Sequence, residues 1–247
     1  MALQNDPLTD RLSTGIPELD ELIEGGIPKA FYLDIHEARR GLGARLLLWK
    51  LVCNFLKGDL VCIYVCLDFP SDEVRDRFKE VKFEPNQYED TGNLIFLDFF
   101  TAKAKKFEAM MPSQLSTLEK LAYDPEEIIT ELVETIPRLK RFDEKGIIVV
   151  DSISSILADV KLEDANKFIR GIKMLTRSHK VVGISASYGF GIDPHALDML
   201  HASADGCIRI DDGVLWVERF SRTAYSSEKL RLERTKEGIL ISKKPLP

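Results

Sequence analysis

Short apolar runs, each closed by a charged or glycine-containing turn and followed by helical spacing, recur along the first two-thirds of the chain. Residues 29–35 read as a strand and 42–56 as a helix with a leucine-rich face. Residues 60–67 (LVCIYVCL) are nearly all apolar, the pattern of a strand buried on both faces. Asp68-Phe69-Pro70 ends that run, and Ser71 caps a charged amphipathic helix reaching Val81. Residues 94–100 (LIFLDFF), 146–151 (GIIVVD) and 180–186 read as further strands. Asp124-Pro125-Glu126-Glu127 is a helix start, with proline at the first helical position and acids in the first turn. That helix is expected to reach about Phe142, and residues 162–178 carry a second amphipathic period. Residues 152–157 read as a loop or short turn, and 101–123, without a clear period, as a loop with a short helix. After Gly189 the pattern shortens to strands at 206–210, 214–220, 228–233 and 238–241, with Asp211-Asp212-Gly213 as a hairpin turn. The fold class that follows is α/β: three layers, a largely parallel central sheet flanked by helices, and a C-terminal antiparallel extension.

The chain is organised around residues 31–48, FYLDIHEARRGLGARLLL. An apolar run, a charged loop with two glycines and a leucine-rich helix have the order of strand, phosphate loop and helix. A working phosphate loop reads G-x-x-x-x-G-K-[ST]. The register that keeps the second glycine puts Ala38 at the first glycine, Gly43 at the second, Ala44 at the lysine and Arg45 at the hydroxyl residue.

Composition narrows the class. At 247 residues, with no internal repeat, linker or low-complexity tract, the chain suits an extended arm over 1–10 and a single domain over 11–247. A net charge of −6 argues against a surface broadly coated for nucleic acid. Cys53, Cys62, Cys66 and Cys207 sit in or beside apolar runs without a C-x-x-C pair, the distribution of buried reduced thiols rather than of a disulfide framework or zinc site. No apolar run approaches the ~20 residues of a membrane span, and no signal-type h-region opens the chain, so the expected location is the cytoplasm. His36 reads as a satisfied polar residue at a strand end, with no second His or Cys placed to share a metal. Ser152, Ser154 and Ser155 with His179 make no recognisable nucleophile set.

The segment RLSTGIPELDEL at 11–22, followed by Gly25-Gly26-Ile27-Pro28, closely resembles the opening phrase of the RecA-like ATPases of the KaiC and RadA group. Residues 146–155 (GIIVVDSISS) resemble that group's Walker B strand and 204–210 (ADGCIRI) its late strand, and the similarity runs from about residue 11 to 242. The resemblance implies a RecA-like three-layer fold, ATP with Mg²⁺, and side-by-side association into rings or filaments. It matches Asp151 to the metal-organising acid and puts Asp68 where the catalytic glutamate is expected. It makes Arg219 and Arg222 candidates for reaching a neighbour's phosphate, and it sets Tyr188-Gly-Phe-Gly-Ile192 where the group carries a DNA-facing loop.

The departures shape the functional expectation. A phosphate loop cradles its anion with consecutive backbone N–H groups and a lysine at a helix N-terminus. Gly41 and Gly43 can still form part of that nest, but Ala44 cannot reach the β/γ-phosphates and Arg45 offers Mg²⁺ no hydroxyl. The leading expectation is therefore a catalytically degenerate pseudo-ATPase, an oligomeric scaffold or regulatory subunit assembled with itself or with RecA-like paralogues. On this reading ATP and Mg²⁺ are disfavoured, no metal is expected, and no membrane is involved. Arg39, Arg40 and Arg45 read either as a repurposed anion site or as solvated loop charges and intersubunit ion pairs. Two alternatives stand beside it. One is an ATPase whose arginines replace the lysine. The other is a nucleic-acid-binding repair accessory of the RadA-paralogue type, using Lys103, Lys105, Lys106, Arg219 and Arg222 as phosphate contacts.

Overall fold

The computed structural model describes residues 11–39, 41–109, 122–190, 192–236 and 238–243. The opening phrase folds back on itself: β1 (Arg11–Leu12) pairs antiparallel with β2 (Ile27–Pro28), enclosing α1 (Pro17–Leu22). Ser13 and Thr14 donate their hydroxyls to the Asp20 carboxylate at 2.6 and 2.7 Å, and the N-cap position belongs to Ile16. The Asp20 carboxylate, a charged acceptor one turn inside the helix, takes both hydroxyls in place of the helix-end N–H groups.

From there strands and helices alternate. β3 (Phe31–Glu37) leads into α2 (Gly43–Lys57), and β4 (Val61–Cys66) into α3 (Ser71–Glu80) and α4 (Asn86–Asp90). β5 (Leu94–Asp98) runs directly into α5 (Phe99–Glu108). The strand expected over 94–100 stops at Asp98 because that carboxylate accepts from the Thr101 N–H at 2.8 Å and caps the helix. It also accepts from the Ser71 N–H at 2.8 Å, so Ser71 is the first residue of α3 and not its cap. α6 (Pro125–Thr135) begins where the Asp-Pro-Glu-Glu signal put it, but ends early in a 3-10 turn, Ile136–Arg138, at Pro137.

β6 (Gly146–Asp151), α7 (Ile153–Asp159), α8 (Leu162–Ser178), β7 (Val182–Tyr188) and α9 (Pro194–Ser203) follow, then β8 (Gly206–Asp211), β9 (Val214–Phe220), β10 (Leu230–Thr235) and β11 (Gly238–Ser242). α7 replaces the loop expected at 152–157. α9 was not anticipated at all, although Asp193 caps it by accepting from the His195 N–H at 2.7 Å, and Pro194 opens it.

The main sheet has nine strands among the described residues, in the order β11-β10-β9-β8-β3-β7-β6-β4-β5. β8, β3, β7, β6, β4 and β5 are parallel, and β9, β10 and β11 extend the sheet antiparallel. Side-chain parity divides the interior into two cores. On the α2 face lie Phe31, Leu33 and Ile35 of β3, Cys62, Tyr64 and Cys66 of β4, and Ile147 and Val149 of β6. On the opposite face Val61, Ile63, Val65, Ile148 and Val150 pack under α6, α7, α8 and α9. All four cysteines are buried free thiols, and burial pushes that of Cys53 up to about 12. This α/β architecture is the RecA-like arrangement expected. Among the described residues no helix is long and apolar enough to cross a membrane.

Candidate functional site

In a parallel sheet of this kind the C-terminal strand ends form the crevice where ligands bind. Here β3 ends in Glu37, β4 leads to Asp68, β6 ends in Asp151 and β7 in Tyr188. Parity decides what each contributes. Asp151 follows Ile147 and Val149 on the α2 face, and Glu37 follows Leu33 and Ile35 there, so both carboxylates meet the first turn of α2.

The Glu37 carboxylate closes over the start of that helix. It accepts from the Gly43 N–H at 3.2 Å and the Ala44 N–H at 3.1 Å, two of the free donors an α-helix leaves at its N-terminus. Of the two glycines that the sequence reading put in the nest only Gly43 donates here, joined by Ala44, and the anion is the chain's own. Burial raises the Glu37 pKa above the ordinary glutamate value, while the Ala44 and Gly43 N–H groups and Arg45 pull against it. Gly41 makes the approach possible, because a Cβ there would stand 2.0 Å from Glu37 Oε1. Gly41→Ala is therefore expected to push Glu37 out of the nest and to cost about 1–3 kcal/mol in urea denaturation. Combined with Glu37→Ala it should cost little beyond Glu37→Ala alone, since both changes break the same two bonds.

Arg45, one residue further along α2, turns its guanidinium into the space between the two aspartates. Nε donates to Asp151 Oδ1 at 3.3 Å and Nη2 donates to Asp68 Oδ2. The side chain is only 9% exposed, and it lies 4.5 Å from the Phe69 ring centre and 5.1 Å from that of Tyr188. Donors also cover the remaining carboxylate oxygens. Tyr64 Oη donates to Asp151 Oδ2 at 2.6 Å, and Trp49 Nε1 donates to Tyr64 Oη at 2.9 Å. Ser152 Oγ donates to Asp68 Oδ2 at 3.0 Å and Ser155 Oγ to Asp68 Oδ1. Burial raises the Asp151 pKa, with Arg45 acting against it. Burial also works against the Arg45 charge, but Asp151, then Tyr188 and Asp68, outweigh it and hold the guanidinium above its ordinary value.

Of the other residues singled out from the sequence, Arg39 is 75% exposed and pairs with Asp211 at 3.2 Å. Arg40 lies outside the described residues. Arg219 and Arg222 have partners within the chain. Arg219 donates to the His201 and Ala204 carbonyls, and Arg222 donates to the Ala30 carbonyl at 2.8 Å and lies 3.6 Å from Asp205. Lys103 sits over the Tyr123 ring and Lys106 pairs with Glu127 at 3.2 Å. Tyr188 packs inward on Arg45, while Phe190 is 68% exposed. His179 pairs with Asp143 at 2.7 Å, away from the serines. His36 does have a histidine neighbour, contrary to expectation: the His201 ring centre, carried by the unanticipated α9, stands 4.6 Å away. Sequence reasoning missed Glu37, Tyr64 and Trp49; the usable signal was Glu37's parity at the strand end.

The comparisons with known proteins agree with this fold. The chain is 26% identical over 253 residues to a UPF0273 protein of Pyrococcus horikoshii, covering 95% of this chain and 94% of the relative. It is 24% identical to a UPF0273 protein of Thermotoga maritima, covering 94% and 95%. The crystal structure of a KaiC-like protein from Pyrococcus horikoshii OT3 superposes with a TM-score of 0.73 at 16% identity, covering 94% of this chain and 98% of that one. The family model described as "ATPase: KaiC" matches residues 12–212, from the opening phrase through the β8–β9 turn. The chain belongs to the KaiC ATPase family.

Proposed function

We propose that this KaiC-family protein is a pseudo-ATPase, a cytoplasmic scaffold or regulatory subunit that works through association with copies of itself or with RecA-like paralogues. One observation carries the reading: Arg45 neutralises Asp68 and Asp151 from within the chain. In the family those acids would organise Mg²⁺ and the attacking water. A guanidinium held between them, 9% exposed, supplies the positive charge with a covalently attached group instead of a metal. The Glu37 carboxylate does the same for the phosphate nest, occupying N–H donors at 3.1 and 3.2 Å. Ala44 offers no ammonium to a γ-phosphate. These residues do not fit ATP·Mg²⁺. A site neutralised by its own side chains needs no ligand to be stable, which suits a protein whose loop face serves as a docking surface. Leu42, 46% exposed, and Phe190 line the cavity that holds Arg45 and Asp68.

Calorimetric titration of ATP and ADP with Mg²⁺, with the mass in solution measured alongside, tests both halves. The expected result is no heat of binding at millimolar nucleotide and a mass above that of one chain. Micromolar binding would move the ATPase alternative to first place, and a monomer at all concentrations would remove self-assembly.

A further inference from the structure

A strand buried on both faces of a parallel sheet is expected to be apolar throughout. Three neighbouring strands break that rule at one place, on the face away from α2. β3 turns Asp34 and His36 there, since Phe31, Leu33 and Ile35 face the other core, and by the same parity β7 turns Ser185 and Ser187 and β8 turns Cys207. Asp34 and Cys207 are register partners on adjacent parallel strands. α9 lays His201 across them, 3.5 Å from Asp34.

We propose that Asp34, His201 and Cys207 form a binding site for a divalent transition-metal ion, zinc by its ligand chemistry. Each offers one ligand atom, and the three atoms lie within 4.8 Å of one another. Asp34 is 0% exposed, Cys207 1%, and the His201 side chain 12%. His201 Nε2 is buried without a hydrogen-bond partner, although Asp34 Oδ2 is 3.5 Å away. That spacing is too long for a good hydrogen bond but suits two ligands of one ion. Ligands roughly 2.0–2.2 Å from zinc stand about 3.4 Å apart at the tetrahedral angle. A mixed oxygen, nitrogen and sulfur set selects zinc and its first-row neighbours over Mg²⁺ or Ca²⁺, which take oxygen.

The surroundings are those of a supported site. Ser185 Oγ donates to Asp34 Oδ1 and Ser187 Oγ to Asp34 Oδ2, both at 2.6 Å, which fixes the carboxylate. Tyr32 Oη donates to Ser185 Oγ at 2.9 Å, and His36 Nδ1 meets Ser187 Oγ at 2.9 Å. The His36 ring lies edge-on to that of His201. The Cys207 thiol lies beside the Glu218 carboxylate, which is itself paired with Arg209 at 2.8 Å. Binding forms a metal–thiolate bond and breaks the S–H bond. The proton leaves through the Glu218 carboxylate to solvent, and no electron is transferred. Three ligands from two strands and a helix leave a fourth position for water.

The probe is Co²⁺, added to the chelator-stripped full chain and displaced by Zn²⁺. The expected result is one equivalent bound, with the visible bands of tetrahedral cobalt and a thiolate-to-cobalt absorption, both abolished by Zn²⁺. Cys207→Ser should lose the thiolate absorption, and His201→Gln should weaken Zn²⁺ binding about tenfold or more. Ser187→Ala touches only the support of Asp34 and should weaken it roughly 10–100-fold. Cys53→Ser removes another buried thiol and should bind as the parent does. Absence of cobalt bands in the folded parent would overturn the site. So would an unchanged spectrum in Cys207→Ser, or unchanged affinity in the folded Ser187→Ala variant.

Discussion

Replacing Arg45 with methionine is expected to destabilise the protein by about 3–5 kcal/mol, read as a fall in Tm of roughly 6–20 °C for a chain of this size. The reason lies in what stays behind. Asp151 is 1% exposed and keeps only the Tyr64 hydroxyl, while Asp68 is 19% exposed and keeps two serine hydroxyls. Two carboxylates then face one another without the cation that holds them apart. Such a buried, unpaired charge costs far more than the net worth of the pair it came from.

The loss should depend on pH with a definite sign. Burial already raises the Asp151 pKa, and Arg45 is the chief force opposing it. In the variant the folded-state value rises further, so between the ordinary aspartate pKa and that raised value the folded state binds more protons than the unfolded chain. Stability then falls as pH rises through this window, and the variant regains stability as pH drops toward about 4. Adding Asp151→Asn keeps an acceptor for Tyr64 and removes one charge, so it should recover about half the loss at neutral pH. Chemical denaturation at pH 5 and pH 8 checks all three statements. A methionine variant within about 1 kcal/mol of the parent at pH 8 would mean that Arg45 is a solvated charge and not the pivot of the site.

Much of the fold is legible in the sequence where one physical signal dominates. Strands β4 and β6 are continuous apolar runs, and only a sheet buried on both faces needs those. α8 has an amphipathic period long enough to place it over Leu162–Ser178, its observed bounds. α9 escaped because its buried side, Ala196, Leu197 and Leu200, is short and follows a glycine-containing loop, although Asp193-Pro194 repeats the Asp124-Pro125 signal read correctly at α6. α7 escaped because a helix of seven residues leaves too little period to read.

The site divides in the same way. Asp68, Asp151 and Arg45 could each be named from motif position, since the motif fixes them along the chain. Their meeting could not, because it depends on α2 crossing the ends of β4 and β6 with Arg45 turned inward. Glu37 lies one residue before the motif and was passed over for that reason. Yet strand parity alone puts it on the helix side. The buried cluster of Asp34, His201 and Cys207 needed α9, and so was invisible without it.

Restoring the phosphate loop should require three changes, not two. Ala44→Lys with Arg45→Thr returns the residues that the motif lacks, but leaves the Glu37 carboxylate on the Gly43 and Ala44 N–H groups. A phosphate brought to within about 4 Å of that carboxylate meets a repulsion on the order of 4 kcal/mol per pair of unit charges at an effective dielectric of 20. This is enough to offset the lysine. The double variant is therefore expected to bind ATP·Mg²⁺ no better than the parent in calorimetry. Adding Glu37→Ser opens the nest and should improve affinity by at least about a hundredfold, equivalent to about 2.8 kcal/mol and so to part of that released repulsion.

A second readout separates the phosphate from the metal. With Arg45 gone, Asp68 and Asp151 are left as a bare acidic pair, and Mg²⁺ should raise the Tm of both variants while leaving the parent unmoved. If the double variant binds nucleotide as well as the triple, Glu37 is not the block and the nest was open all along. If Mg²⁺ stabilises the parent equally, Arg45 does not fill the metal's place, and the pseudo-ATPase reading loses the observation on which it stands.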